Sequence, residues 1–203
     1  MKKIGVLGAW HVHTGDYVRA TREEGSHELK LLWDHDATRG QAAAERLELE
    51  FVEDLDDFLA NVDAVICCTE TMRHDDLLLQ VAQAGKAIFT EKTLSATKEG
   101  AEALAKAIQQ TGQPFVISYP QLQFAKHQRL SQELAKGSLG KVSQVRSRNA
   151  HNGLSAGWLP DDWMDVDKAG GGALMDLGCH QIYLSLHWFG RPQTVTAFFD
   201  LPK

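Results

Sequence analysis

The chain has 203 residues, 43% of them hydrophobic, and no long block of charge, so it can bury a core and is neither a disordered segment nor a miniature scaffold. Lysine and arginine total 21 against 27 acidic residues, a formal net charge of -6, which lacks the basic field of a nucleic-acid binder. No apolar run approaches the ~20 residues of a membrane span, so neither nucleic acid nor membrane is expected as a partner.

The N-terminal MKKIGVLGAW resembles a leader only superficially, because its apolar run is short and turns at once into His11 and His13. Lys3 to Leu7 reads instead as a buried strand, followed by Gly8 and a helix over Thr14 to Glu24 that ends at Gly25. Leu29 to Trp33 is a second strand stopping at Asp34, Ala37 to Leu47 a helix, and Phe51 and Val52 a brief third strand. Ala64 to Cys68 is wholly apolar, as a parallel strand covered on both faces is. Cys67, Cys68 and Cys179 are odd in number and form no CxxC, so they read as reduced thiols of a cytoplasmic protein and not as a disulfide framework or zinc site. A helix over Arg73 to Ala84, a strand over Ala87 to Thr90, a helix over Thr97 to Gln110 and a strand over Pro114 to Ser118 complete the series. Short apolar runs alternating with helical segments predict an α/β fold, a Rossmann-type doubly wound parallel sheet over residues 1–118.

Beyond Tyr119 and Pro120 the rhythm changes. Phe124 to Lys136 predicts a helix, Val142 to Arg148 alternates as a half-exposed antiparallel strand does, and Asn149 to Lys168 has no clear period. A glycine-led helix follows, closed by Gly190 and Pro192, and Thr194 to Phe199 is a last strand candidate. Residues 119–203 are therefore expected to form an α+β domain with a mainly antiparallel, incomplete sheet.

The turn after the first strand is where a dinucleotide would bind, since a helix N-terminus offers free amides and a positive dipole end to phosphate. The GxGxxG pattern is incomplete: Gly8 matches its first glycine, while Trp10 and His13 stand at the second and third. Asp34, ending the second strand, is suited to accept from an adenosine ribose and favours NAD over NADP, although the plainer reading is that it only begins a turn. Gly8, Asp34, Thr69 and Glu91 all fall at the carboxyl ends of strands, where such a sheet binds ligands. Lys92 beside Glu91 can donate to a substrate oxygen and move a proton, whereas an adjacent Glu–Lys pair taken alone is more commonly solvated. In AGGGALMDLGCHQIY (169–183), Asp176 and His180 lie four residues apart, a spacing that on an α-helix puts both on one face. Tyr183 and His187 continue that stripe.

The stretches IGVLGAWHVH, VDAVICCTETMRH, AGKAIFTEKTL and GGGALMDLGCHQIYL together resemble the Gfo/Idh/MocA family, named for glucose-fructose oxidoreductase, inositol dehydrogenase and a rhizopine-catabolism protein. The last two carry most of the resemblance, against the family's GKHVxxEKPL and GGGxLxDxGxHxID. It implies a nicotinamide-dependent oxidoreductase in which Lys92, Asp176 and His180 match the catalytic lysine, aspartate and histidine. His180 would be the general acid/base, Lys92 would polarise the substrate oxygen, and Asp176 would orient and balance their charge. Gly8, Asp34, Thr69 and Glu91 would contact NAD. Here Thr93 replaces the proline after the lysine, and Tyr183 stands where the family has an aspartate.

His11 is expected beside the cofactor, with Trp10 in the cofactor loop. His151 and Asn152 read equally as substrate-facing residues or as a loop hydrogen-bonding pair. Without HExxH or paired CxxC, no metal is expected. The expected activity is NAD-dependent interconversion of a secondary alcohol and ketone on a sugar, polyol or related small molecule by a homo-oligomer. The alternative is a non-catalytic dinucleotide-binding sensor or partner subunit.

Overall fold

The structure, a computed structural model, describes residues 1–198. The chain divides into two compact units, residues 1–118 with 152–176, and residues 119–151 with 177–203. The second unit is described below only as far as its described residues go.

The first unit is built on a six-stranded sheet of β1 (Lys2–Leu7), β2 (His27–Trp33), β3 (Glu50–Phe51), β4 (Ala64–Cys67), β5 (Ala87–Thr90) and β6 (Phe115–Ile117). Every pairing is parallel and the order is β3-β2-β1-β4-β5-β6. The chain thus winds outward in both directions from β1, and the reversal between β1 and β4 opens the crevice in which such sheets take ligands. Helices α1 (Thr14–Glu24), α2 (Ala37–Leu47), α3 (Leu55–Ala60), α4 (His74–Gln83) and α5 (Lys98–Thr111) make the crossovers.

Neighbouring residues of β1 serve opposite faces, as the strand period of two requires. Val6 packs with Val18 of α1, Leu32, and Ala43 and Ala44 of α2. Leu7 packs with Phe58 of α3, Val65, Leu78 and Val81 of α4, and Leu104 of α5. Helix starts are set by side chains taking otherwise unpaired amides: Asp36 accepts from the Arg39 amide, Asp54 from Asp57 and Thr97 from Gly100. Glycines in the left-handed region, Gly25 and Gly112, close α1 and α5.

Helix α3 is an addition to the elements legible in the sequence. Residues 152–176, beyond the expected domain boundary, pack with the first unit through Leu159 and Trp163, which cluster with Trp10; a short helix, α6 (Val166–Ala169), precedes the glycines.

In the second unit, α7 (Ala125–Ala135) and α8 (Cys179–Phe189) are joined by Trp188, whose indole N–H donates to Ser131 Oγ at 2.9 Å. Rings of Tyr119 and Tyr183 meet at 4.3 Å. Residues 142–148 and 194–198 form no strand among the described residues, and Phe199 lies outside them. Alternation alone gives a strand only where a neighbouring strand supplies hydrogen bonds. Among the described residues no helix is long and apolar enough to cross a membrane.

Candidate functional site

Gly8 ends β1 at φ 80° with its amide donating to the Trp33 carbonyl. A Cβ there would lie 2.2 Å from Thr69 Cγ2, so only glycine lets this loop close onto the end of β4. The Ala9 amide donates to Asp34 Oδ2 at 2.8 Å and the His11 amide to the Cys68 carbonyl at 3.0 Å. α1 starts after His13 with no side-chain cap, leaving first-turn amides and the positive end of the helix dipole suited to an anion. Trp10, in the place of a glycine, is buried and stacked on Trp163, with centroids 4.6 Å apart and planes 6° from parallel.

Asp34 is buried at the end of β2. Its Oδ2 accepts from Arg39 Nε at 2.8 Å and its Oδ1 from Arg39 Nη2 at 2.7 Å, a bidentate pair. Arg39 Nη1 donates to Glu70 Oε1 at 2.8 Å. Burial opposes the guanidinium charge, but hydrogen bonds to the two carboxylates outweigh it and raise its pKa. Arg39 and Glu70 were not among the expected site residues. The signal for Arg39 was its place in the first turn after Asp34; Glu70 gave none beyond standing beside Thr69.

Glu91 and Lys92 are not a solvated surface pair. Glu91 is 1% exposed. One of its oxygens accepts from the Tyr17 hydroxyl, which also bonds Ser118 Oγ at 2.8 Å, and the other accepts from the Lys92 amide at 3.0 Å. Burial, then the Glu91 charge, pushes the Tyr17 pKa far up, so its hydroxyl keeps its proton. His11 Nε2 lies 3.6 Å from Glu91, too far for a hydrogen bond. Burial first and the Lys92 charge second hold the His11 pKa well below its ordinary value; the ring is neutral at pH 7 and the contact is no ion pair. Its Nδ1 accepts from the His13 amide, so the network puts the proton on Nε2, which has no hydrogen-bond partner.

Lys92 Nζ reaches Asp176 Oδ1 at 2.5 Å and the Asp176 carbonyl at 3.0 Å. Both side chains are largely buried, 9% and 16% exposed. The peptide after Lys92 is cis. Trp10, His11, Lys92, Trp163 and Asp176 surround a cavity of about 20 Å³, room for roughly one water.

Asp176 stands in a π-helical turn, Leu174–Gly178, and His180 in the first turn of α8. The four-residue spacing therefore crosses a change of helical pitch, and the two residues belong to different units. Within the second unit His180 is buried and its Nδ1 lies 2.8 Å from the Tyr183 hydroxyl, which accepts from the Gln121 amide. His151 and Asn152 are exposed; the Asn152 carbonyl accepts from the Ala156 amide and Ser155 hydroxyl.

A sequence profile described as "Oxidoreductase family, NAD-binding Rossmann fold" matches residues 2–119, and one described as "GFO/IDH/MocA C-terminal domain" matches residues 127–203. The chain belongs to the Gfo/Idh/MocA oxidoreductase family. It is similar to an inositol 2-dehydrogenase of Rhizobium meliloti, 27% identical over 96% of this chain and 57% of the relative. It is also similar to a 2,7-anhydro-N-acetylneuraminate hydratase of Mediterraneibacter gnavus, 26% identical over 86% of this chain and 46% of the relative. In fold it matches the WlbA dehydrogenase of Bordetella pertussis, solved with NADH and UDP-GlcNAcA, at a TM-score of 0.77, 22% identity, and 93% and 55% coverage. The chain spans about half the length of the curated relatives it matches.

The first unit fits a dinucleotide at its adenosine and phosphate end, where the uncapped α1 start, the glycine-only turn and the carboxylates after β2 and β4 converge. At the other end the stacked Trp10 and Trp163 line the cavity at Lys92, which at about 20 Å³ is too small to hold a planar ring.

Proposed function

We propose that this chain belongs to an NAD-dependent oxidoreductase acting on a secondary alcohol or ketone of a sugar, polyol or related hydroxylated metabolite. The observation that carries the reading is Lys92, held by Asp176 at 2.5 Å beside a small cavity at the carboxyl end of β5. NAD, when bound, supplies hydride acceptance and donation. Lys92 is a fixed ammonium donor for the substrate oxygen, where charge develops during reaction. Asp176 aims it and balances its charge. His180 takes or returns the hydroxyl proton, a task suited to an imidazole, with Tyr183 orienting its ring. Gly8, Trp10, His11, Asp34, Thr69 and Glu91 form the cofactor side, and His151 and Asn152 contact substrate. The protein acts as a homo-oligomer, a reading supported by Ile182, Leu186 and Phe189, which leave an apolar stripe of α8 about half exposed.

The test is NADH formation across a polyol and sugar panel. Lys92→Met and His180→Ala are each expected to lower kcat by 100-fold or more, the usual scale for a proton-transfer group. Unchanged turnover in both would remove the assigned roles. Absence of any turnover, with NAD bound tightly, would favour the sensor reading.

A further inference from the structure

The end of β2 carries more charge than ribose recognition by one acid requires. Asp34 accepts from the Ala9 and Asp36 amides and from two nitrogens of Arg39, which uses the four lone-pair sites of a carboxylate. No acceptor capacity remains on it for a sugar hydroxyl. Arg39 spends a further nitrogen on Glu70 Oε1. Glu70 is 2% exposed, and its other oxygen, Oε2, is buried without a hydrogen-bond partner. A buried polar atom left unmet is costly and points to a missing partner.

We propose that Glu70 is the residue that selects the cofactor: its Oε2 accepts a hydroxyl of the adenosine ribose, and its charge, added to that of Asp34, occupies Arg39 so that a 2′-phosphate meets no free cation. The inference rests on reading the first unit as a dinucleotide site. An arginine near the end of β2 ordinarily accommodates a 2′-phosphate; here both faces of that arginine are already spent on carboxylates. His35 lies 3.4 Å from Asp34 Oδ1 and 3.6 Å from Glu70 Oε1. Burial lowers its pKa more than these acids raise it, so it adds little charge at pH 7. Two carboxylates against one guanidinium leave the cluster negative. Of the other cations that act on it, Arg73 is exposed and Lys168 is engaged by Asp162 at 2.5 Å.

The test uses ADP and adenosine 2′,5′-bisphosphate, which probe the adenosine end without turnover, titrated calorimetrically into the whole chain. The unsubstituted protein is expected to prefer ADP by roughly tenfold or more, the scale of one like-charge contact in a partly buried site. Glu70→Gln is expected to weaken ADP several-fold and to narrow or reverse that preference by about tenfold, and Arg39→Gln added to it to abolish the gain. Glu70→Asp keeps the charge but retracts the oxygen, and serves if Glu70→Gln does not fold; it is expected to lose ADP affinity while still rejecting the bisphosphate. ADP affinity and preference unchanged in the Glu70 variants would overturn the role of Glu70 alone. If the folded, unsubstituted protein binds neither nucleotide, the dinucleotide reading falls with it.

Discussion

The two units differ in how they hold their functional side chains. The first wraps both faces of a six-stranded sheet in buried residues, and Lys92 and Asp176 sit on that support. The second, among its described residues, buries only His180 and Leu184; tilted and edge-on ring contacts and side-chain hydrogen bonds do the rest. A proposed proton carrier that stands in the more thinly packed unit is held by contacts that open at lower free energy than those of a core. The difference separates a densely packed scaffold, on which the proposed cofactor side is built, from a more thinly packed element that carries the proposed proton carrier.

The largest expected effect tests the rigid side. Phe58 is fully buried and its ring would lie 2.5 Å from a Cβ at Gly5, so Phe58→Ala opens a cavity beneath β1 and is expected to cost about 3–5 kcal/mol in urea unfolding. Leu184→Ala is expected to cost about 2 kcal/mol, at the low end for a leucine because, among the described residues of its unit, only His180 is buried with it. In hydrogen exchange it should release α7 and α8 while leaving β1, β4 and β5 protected; equal loss across both units would erase the contrast.

The smallest effect concerns acid. His11 titrates at its ordinary value when unfolded but well below it when folded. The unfolded state therefore binds the proton first as pH falls below about 6.5, and stability declines from there down to the folded pKa. His35, lowered by burial first, adds to the decline. His11→Gln is expected to flatten the thermal midpoint between pH 6.5 and 5, recovering about 1.4 kcal/mol for each unit by which the pKa is depressed. An unaltered slope would show that the ring is not held neutral.

Much of the rigid unit was legible beforehand because its strands are short apolar runs punctuated by glycine and acids. The AVICC stretch read as a strand covered on both faces and AIFT as a further strand, and Ala64–Cys67 and Ala87–Thr90 are strands inside the sheet. Helix α3 was not legible: LDDFLA is too short for a helical period to show, and only Asp54 as its cap marks it. In the site, Gly8 and Lys92 stood out by residue type and place, a glycine closing the first strand and a lysine just after another. Arg39, Glu70 and Trp163 did not, because each acquires its part by reaching a group distant in sequence, Glu70 for Arg39 and Trp10 for Trp163. The alternation at Val142–Arg148 misled for the converse reason, since a strand exists only with its neighbour.

The stacked indoles of Trp10 and Trp163 give the molecule an optical gauge. Two stacked chromophores 4.6 Å apart couple their strong far-ultraviolet transitions, and the resulting circular-dichroism signal falls as they separate. The indole pair therefore reports, without a label and before any chemistry, whether Trp163 lies on Trp10.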